Sequence, residues 1–256
     1  MDGAADAGLA VRAPAVLTVP RSIRGAERHS RRTVVCVDGL AVQASLFGGD
    51  EPRVDERLRG LVRHDLDERS WLDHVPGWLT GDDTLFAELE ATGPWRQRSR
   101  LMWDSVVEEP RLVAVYDDLG ALPPVLTQAR LLLSSRYGVD LDSCLVNLYR
   151  DGRDSVAWHG DTVRARLPEA VVVTISLGAR RAFRVRPRGG GATVLTLHPG
   201  AGDLVVMGGR TQHEWEHTVP KAARVAGPRM SVTMRHSRPG RTADQGAPPA
   251  RAPRQA

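Results

Sequence analysis

Short apolar segments alternate with Gly- and Pro-containing turns throughout the C-terminal half of the chain. Successive side chains of a β-strand point to opposite faces, so short segments of this kind indicate strands. The pattern predicts strands over Cys144–Tyr149, Ser155–His159, Val171–Leu177, Ala182–Arg186, Thr193–Leu197, Asp203–Met207, His213–Val219 and Met230–Arg235. Many short strands separated by turns are typical of packed antiparallel sheets. We therefore expect a mainly β protein with flanking helices (α+β) and a double-stranded β-helix, or jelly-roll, core.

The N-terminal half carries patterns typical of the flanking helices. The charged segment Val54–Leu66 predicts one helix. The cluster Asp82-Asp83-Thr84 predicts the N-cap of a second, which runs to about Glu90 and stops at Gly93-Pro94. Apolar residues at helical spacing predict a third over Pro123–Tyr137, which we expect to pack on the sheet, with Gly138 just after its end.

Composition and charge narrow the class of protein without fixing it. The 256 residues include 35 Lys and Arg against 31 Asp and Glu, a net charge of +4. This surplus suits a polyanionic partner, although a coding bias that also favours Ala and Gly explains the basic tails equally well. Cys36 and Cys144 are the only cysteines, too few for a disulfide framework or a thiolate zinc site, which favours a reducing cytoplasm. No apolar run reaches the ~18 residues of a membrane span.

The candidate chemistry starts with His159, Asp161 and the distant His217. Residues two apart on an extended segment share a face, so His159 and Asp161 are expected to reach one metal ion. Two imidazoles and one carboxylate are the ligand set of a non-haem Fe(II) oxygenase. By the same alternation, Arg229, Thr233 and Arg235 fall on one face. Paired guanidinium groups beside a metal indicate a dicarboxylate ligand.

Together these motifs resemble the AlkB-type 2-oxoglutarate/Fe(II) dioxygenases, which reverse alkylation damage on nucleic-acid bases. The resemblance covers Asn-x-Tyr, His-x-Asp, the distal His followed by a small residue and Pro, and Arg-x-x-x-Thr-x-Arg twelve residues after that His. It implies that His159, Asp161 and His217 are the catalytic iron ligands. It implies 2-oxoglutarate and dioxygen as co-substrates, the first held by a set of six residues. These are Asn147, Tyr149, Arg229, Ser231, Thr233 and Arg235.

Two positions depart from the family pattern. Many members carry Asn at the position of Ser231, whose smaller side chain is still able to hydrogen-bond the co-substrate. Several place an acidic residue against the damaged base where this chain has Val163. This leaves the iron hypothesis intact and puts the base preference in doubt.

Arginines and indoles interleave over Trp95–Trp103, where a strand would present one cationic face. This suits a nucleic-acid contact, in the region where the family has its substrate-gripping lid, while a solvated sheet edge is the competing interpretation. Arg184, Arg186 and Arg188 alternate onto another face, near the hairpin tip Gly189-Gly190-Gly191, with the same two interpretations. The substrate contacts we predict are Arg100, Trp103, Val163 and Arg188. Trp158 is expected to pack behind the metal.

Composition at the two ends and the resemblance between them predict a division of the chain. We expect a disordered basic leader over 1–31, supporting helices and the lid over 32–140, the dioxygenase core over 141–236 and a disordered tail over 237–256. The short segments 33–37 and 44–48 are read as a strand and a loop entering the fold.

The expected function is direct repair by oxidative demethylation of bases such as 1-methyladenine and 3-methylcytosine in DNA or RNA. The reaction would couple 2-oxoglutarate and dioxygen to succinate, carbon dioxide and formaldehyde. We expect a monomer in a bacterial-like cytoplasm, with no membrane contact. Hydroxylation or demethylation of protein substrates is the alternative, and a non-catalytic nucleic-acid-binding module is disfavoured because all three ligands are present.

The segment His213–His217 also satisfies the zinc-peptidase pattern His-Glu-x-x-His, with Glu214 as general base. That site requires a helix, and Val219-Pro220 ends any helix within a turn. The zinc interpretation is therefore remote, and His213 is expected to line the pocket or lie at the surface.

Overall fold

The computed structural model describes residues 50–102, 105–161, 167–225 and 227–236, and over 100–102 and 105–107 the backbone alone. Most described residues with regular structure lie in strands. The strands are β1 (Arg53–Val54), β2 (Val62–Asp65), β3 (Ser70–Val75), β4 (Leu79–Thr80), β5 (Trp95–Met102), β6 (Ser105–Tyr116), β7 (Ser143–Tyr149), β8 (Val156–His159), β9 (Val172–Gly178), β10 (Phe183–Pro187), β11 (Leu195–Leu197), β12 (Leu204–Gly209), β13 (Trp215–Val219) and β14 (Arg229–Arg235). The helices are α1 (Asp82–Thr92), α2 (Pro124–Tyr137) and the single turn α3 (Thr211–Glu214).

The strands form a large and a small antiparallel sheet. The large sheet has the order β2-β3-β12-β9-β14-β7-β6-β5, and the small sheet has the order β11-β10-β13-β8. The short strands β1 and β4 pair separately. The mainly β fold class is confirmed, and the two-sheet arrangement agrees with the expected jelly-roll core.

Alternation along β14 shows how the layers are built. Met230, Val232 and Met234 join a buried cluster with apolar side chains of α1 and α2, so this face of the large sheet carries the helices. The intervening residues point to the opposite face, where the small sheet packs. A second cluster joins the two sheets there, with Leu72 and Val172 from the large one and Phe183 and Val185 from the small one. The polar side of β14 therefore faces the space between the sheets.

The helices α1 and α2 lie where the sequence predicts them. The cap of α1 differs from the prediction, because Gly81 is the N-cap residue, at φ 68°, and Asp82 and Asp83 belong to the first turn. A side chain on Gly81 would clash with the main chain of Asp50 and Pro52, so glycine is required at this turn. Gly138 ends α2 in the left-handed conformation, as predicted.

The predicted helix over Val54–Leu66 is wrong. That segment forms the end of β1, turns and then β2, which pairs with β3. The guanidinium of Arg63 on β2 makes two hydrogen bonds to Asp73 on β3, of 2.7 and 2.8 Å, and lies 4.0 Å from the centroid of the Trp71 ring. These contacts with a neighbouring strand favour the extended conformation over the helix that the local pattern suggests.

The predicted strand over His213–Val219 begins later than expected. Residues Thr211–Glu214 form the helical turn α3, and β13 starts at Trp215. The remaining predicted strands are confirmed with small shifts of their ends, and Gly189–Gly191 form a turn with positive φ between β10 and β11.

Several other predictions concern segments that the structure does not describe. The leader 1–31, the segments 33–37 and 44–48, the tail 237–256, Trp103 and Val163 all lie outside the described residues. Cys144 is a buried, free thiol on β7. Among the described residues no helix has the length and apolar character to cross a membrane.

Candidate metal centre and adjoining pocket

His159 reaches the space between the sheets because β8 is irregular. His159 pairs with His217 on β13, and Val156 pairs with Val219, so two residues of β8 oppose one residue of β13. Such a β-bulge places both Val156 and His159 on the pocket side. Nδ1 of His159 lies 2.9 Å from the carbonyl oxygen of Ala157 within the bulge. With Nδ1 donating there, Nε2 presents its lone pair to the pocket.

The two histidines and the aspartate converge, as the sequence predicts. One ligand atom from each of His159, Asp161 and His217 lies within 4.8 Å of the others. Nε2 of His217 is 3.5 Å from Oδ2 of Asp161, and the two imidazole centroids are 4.3 Å apart. The ring of Phe183 stacks on His217 with centroids 5.2 Å apart, which fixes that imidazole in place.

The electrostatics of this cluster prepare it for a cation. Burial lowers the pKa of His217 to about 3, against the opposing effect of Asp161, so its imidazole is neutral. Burial raises the pKa of Asp161, but its interactions with neighbouring side chains, among them the permanently charged Arg235, outweigh that effect and leave its pKa below the ordinary value. Metal binding requires neutral imidazole and ionised carboxylate, and the cluster provides both.

Gln212 holds the aspartate in position. Its Oε1 accepts a hydrogen bond of 2.7 Å from the backbone N–H of Asp161, and its side chain is buried in α3. Arg235 also donates to Oδ1 of Asp161. A side chain at Gly160 would come within 2.7 Å of the carbonyl oxygen of Gln212, so this close approach requires glycine.

His159, Asp161 and His217 line part of a cavity of about 360 Å³. Its size is in the range of small-molecule sites, about 300–1,000 Å³. All six residues predicted to hold a co-substrate line it: Asn147, Tyr149, Arg229, Ser231, Thr233 and Arg235. They come from the adjacent strands β7 and β14, where Ser231 is the register partner of Asn147 and Arg229 that of Tyr149.

Arg229 is the unusual member of this wall. It is 1% exposed, and burial lowers its pKa. One nitrogen, Nη2, donates to the hydroxyl of Ser176 at 2.9 Å, while Nε and Nη1 have no hydrogen-bond partner among the described residues. Tyr149 lies beneath the guanidinium, with its ring centroid 5.4 Å away. A buried cation with two unsatisfied donors is costly unless an anion binds there, so this site fits a ligand carboxylate.

Other side chains of the pocket were not found from the sequence. Arg98, Glu109 and Arg111 line it from β5 and β6, and Thr174 lines it from β9. Nε of Arg111 donates to Oδ1 of Asn147 at 3.0 Å. No motif marks these residues, and their only local signal is that Arg98 belongs to the basic Trp95–Trp103 segment.

The predicted substrate contacts have different outcomes. Arg100 is described by its backbone only, on β5. Arg188 does not line the pocket and donates from Nη2 to the carbonyl of Gln212 at 2.7 Å and from Nε to that of His213 at 2.6 Å. Its guanidinium therefore braces α3, the turn that carries Gln212.

Two arginines of the predicted row, Arg184 and Arg186, lie on the outer face of the small sheet. Arg184 is exposed there. Arg186 pairs with Glu216 at 3.0 Å and lies 4.2 Å from the ring centroid of Trp158. Trp158 therefore packs under an arginine on the side of β8 away from the pocket.

The zinc-peptidase alternative does not fit this geometry. His213 belongs to α3 and His217 to β13, so the two imidazoles do not share a helix face. Glu214 pairs with Arg69 and Arg210 instead of facing a metal. Nε2 of His213 lies 2.8 Å from the carbonyl oxygen of Leu167, outside the pocket lining.

Comparison with known proteins places this geometry in a family context. Residues 100–235 match the family model of the 2OG-Fe(II) oxygenase superfamily. The chain is 31% identical over 185 residues to the bovine alpha-ketoglutarate-dependent dioxygenase alkB homolog 3, covering 62% of this chain and 64% of that protein. It is 28% identical over 224 residues to the mouse DNA oxidative demethylase ALKBH2, covering 73% and 91%. The chain thus spans slightly less than two thirds of the first relative.

The fold has a solved counterpart as well. The structure of OsALKBH1 superposes with a TM-score of 0.50 at 15% identity, covering 68% of this chain and all of that one. At this identity the likeness concerns the fold alone.

Proposed function

This chain belongs to the AlkB-type 2-oxoglutarate/Fe(II) dioxygenases, and from that premise we propose that it oxidatively removes N-alkyl groups from bases of DNA or RNA. Enzymes of this family are oxidoreductases that use Fe(II), 2-oxoglutarate and dioxygen. The observation that supports the proposal most directly is the buried Arg229 with two unsatisfied donors, in the same cavity as the His-Asp-His cluster.

His159, Asp161 and His217 would hold the ferrous ion. Two imidazole nitrogens and a carboxylate oxygen suit this metal and leave positions for further ligands. Two contacts beyond the ligands set their orientation: Ala157 fixes the tautomer of His159, and Gln212 fixes the main chain of Asp161. The guanidinium of Arg235 partly neutralises the carboxylate of Asp161. This ion pair connects the proposed iron ligands to β14, the strand that also carries Arg229.

Arg229 would bind the carboxylate of 2-oxoglutarate that lies farther from the metal, through Nε and Nη1. Ser176 holds the guanidinium from behind and Tyr149 supports its face. Asn147, Ser231, Thr233 and Arg235 would complete the cradle. Each hydrogen bond to a charged group contributes about 1.5–3 kcal/mol, so Arg229 decides most of the co-substrate affinity.

The bound iron and co-substrate supply the oxidising equivalents that hydroxylate the N-alkyl carbon, after which formaldehyde leaves. The side chains of the pocket position the substrate and keep water away from the reacting carbon. Val156, Phe183 and Val219 form an apolar patch beside the imidazoles, which limits water near the reacting carbon. A base stacked in a duplex does not reach a pocket between two sheets, so the target base would flip out or come from a single strand.

The division of the chain forms part of the proposal. We assign the dioxygenase core to residues 141–236 and the substrate lid to the part of 32–140 that contains β5 and β6. Those two strands continue the large sheet beyond β7 and carry Arg98 and Arg111 to the pocket. The lid would therefore approach the substrate from the side opposite α3.

One assay tests the proposal. The protein is incubated with Fe(II), ascorbate, 2-oxoglutarate and a single-stranded oligonucleotide that carries one 1-methyladenine, and formaldehyde and succinate are measured. We expect equal amounts of both products, and neither from Asp161→Ala. Succinate that forms only when a protein substrate is added, with no formaldehyde from any alkylated oligonucleotide, would overturn the proposal in favour of a protein hydroxylase.

A further inference from the structure

The two histidines of the proposed iron site lie on a short and irregular pair of strands. Among the described strands, β8 pairs with β13 alone and forms one edge of the small sheet. The register joins His159 to His217 and Val156 to Val219, and the hydroxyl of Thr218 donates to the carbonyl oxygen of Val156 at 2.6 Å. An edge strand of four residues with a bulge has few main-chain bonds of its own, so it opens at little cost unless other contacts hold it.

A buried arginine joins the start of β8 to the end of β13. Arg181 lies two residues before β10 and is 2% exposed. Its Nη1 donates to the carbonyl oxygen of Asp151 at 3.0 Å. Its Nη2 donates to the carbonyl oxygens of Asp154 and Pro220, both at 2.8 Å. Asp151 and Asp154 belong to the turn that leads into β8, whereas Pro220 directly follows β13.

The turn that Arg181 contacts is fixed by further bonds. The carboxylate of Asp154 accepts hydrogen bonds from the backbone N–H, Nε and Nη2 of Arg150, at 2.9, 2.8 and 3.0 Å. The backbone N–H of Ala222 donates to the carbonyl oxygen of Gly152 at 2.8 Å. A side chain on Gly152 would clash with the main chain of Ala222, so the turn and the segment after β13 approach each other closely. Arg181 bonds to both of these segments.

The chemistry of the guanidinium suits this position. Hydrogen bonds from a charged donor are stronger than neutral ones, and the planar fork directs them at fixed angles. A lysine ammonium on its flexible stem does not reproduce that fork. Nε of Arg181 is buried without a hydrogen-bond partner among the described residues, so the three carbonyl oxygens offset the cost of burying the cation only in part. An arrangement of this kind favours one geometry more than it adds stability.

We propose that Arg181 is a positioning residue of the iron site, which fixes His159 and His217 relative to each other by holding the start of β8 against the end of β13. This rests on the proposed function. The imidazole centroids are 4.3 Å apart, and a metal site requires its ligands within about 0.5 Å of the productive geometry. Arg181 also precedes Phe183, whose ring stacks on His217. One segment of the chain therefore supports both imidazoles.

The test measures Mn(II) binding to Arg181→Met, which keeps the approximate length of the side chain and removes its donors. Electron paramagnetic resonance follows the titration without 2-oxoglutarate, so that the contact of Arg181 with the ring of Tyr149, 5.7 Å away, does not enter. We expect the Kd for Mn(II) to rise about 10–100-fold. Arg180→Met is the matched control and should keep the wild-type Kd. Arg180 is the exposed neighbour, and it donates to the carbonyl oxygen of His198, which belongs to neither β8 nor β13.

Two further variants separate positioning from stability. Leu133→Ala removes a fully buried side chain of α2 from the apolar cluster and should lower the Tm without changing the Kd for Mn(II). Arg181→Lys keeps the charge but not the fork, and we expect its Kd to lie between those of the wild type and Arg181→Met. Hydrogen exchange followed by mass spectrometry should show faster exchange of the β8 peptide in Arg181→Met and unchanged exchange in Arg180→Met.

The results distinguish this role from the proposed function. A folded Arg181→Met protein with the wild-type Kd would overturn the role of Arg181, and so would an equal rise of the Kd in Leu133→Ala. If Arg181→Met does not fold, Arg181→Gln, which retains one amide donor group, takes its place under the same criteria. A wild-type protein that binds Mn(II) but releases no formaldehyde from any alkylated oligonucleotide would contradict the proposed function alone. The comparison of Kd values would still decide the role of Arg181.

Discussion

The side-chain oxygen of Gln212 accepts a 2.7 Å hydrogen bond from the backbone N–H of Asp161, between the turn α3 and the segment that follows β8. The guanidinium of Arg188 donates hydrogen bonds to the backbone carbonyls of Gln212 and His213 and so holds α3 in place. The position of the carboxylate ligand is therefore set by a buried amide that lies outside every motif of the sequence.

Replacement of Gln212 should weaken metal binding. Gln212→Leu has nearly the same size but no acceptor, so the buried N–H of Asp161 loses its partner. Loss of a contact behind a metal ligand typically lowers metal affinity about 10–100-fold. Titration with Mn(II), followed by its electron paramagnetic resonance signal, measures the change. Gln128→Leu, on the exposed side of α2, is the control, and equal affinities in both variants would contradict the expectation.

Loss of Arg229 should cost little stability and much co-substrate affinity. Arg229→Met removes a buried cation with two unsatisfied donors, so the free energy of unfolding of the ligand-free protein should fall little or even rise. The KM for 2-oxoglutarate should rise about 100-fold, since two charged hydrogen bonds are lost. Thermal unfolding with and without 2-oxoglutarate checks both parts. Arg184→Met, an exposed residue of the small sheet, should change neither.

Removal of a ligand side chain should abolish turnover without unfolding the protein. His159 and Asp161 lie at and just beyond the end of the edge strand β8, and neither is a member of the two apolar clusters. We expect His159→Ala and Asp161→Ala to retain the wild-type circular dichroism spectrum and to lose Mn(II) binding and formaldehyde release. Detectable product at about 1% of the wild-type rate would show that the residue is not a required ligand.

Asp203 should stabilise the fold in a pH-dependent way. Burial raises its pKa, but His74, whose Nε2 lies 3.5 Å from Oδ2, and hydrogen bonds from the N–H groups of Gly200 and Gly77 outweigh this and lower the pKa below the ordinary value. Since the folded-state pKa lies below the unfolded one, the stabilisation is complete above about pH 4 and is lost as the pH falls through the folded-state pKa.

We therefore expect Asp203→Asn to lower the free energy of unfolding by about 2 kcal/mol at pH 7, the worth of a charged hydrogen bond. The difference from the wild type should shrink toward pH 3. Urea unfolding at several pH values measures it. The exposed carboxylate Asp140 gives a control variant, Asp140→Asn, and a difference that is constant with pH would refute the assignment.

The sequence was most informative where a local rule decides the structure. Alternation along Arg229–Arg235 predicted correctly that Arg229 and Arg235 share a wall, because β14 lies in the centre of a sheet and both its faces are buried. Capping and helical spacing predicted α2 together with Gly138. The convergence of His159, Asp161 and His217 followed from spacing and motif order, although the β-bulge that turns His159 inward has no signal in the sequence.

The errors and omissions arise from contacts distant in the chain. Val54–Leu66 reads as a helix by composition, but pairing with distant strands decides its structure, since Val54 pairs with Leu79 of β4 and Arg63 bonds to Asp73 of β3. Glu109 and Arg111 become pocket residues because β6 pairs with β7, which is a property of the sheet order. Gln212 contacts Asp161 across 51 residues of sequence, and no local pattern encodes such a bond.

Cys144 provides a practical consequence of the layered fold. Its sulfur lies in the apolar cluster between α2 and the large sheet, and burial raises the pKa of the thiol to about 12. At neutral pH it offers almost no thiolate, and a water-soluble alkylating reagent would reach it only when β7 separates from its neighbours. The rate at which this one cysteine is alkylated, followed by peptide mass spectrometry, therefore measures how often the scaffold beneath Asn147 and Tyr149 opens.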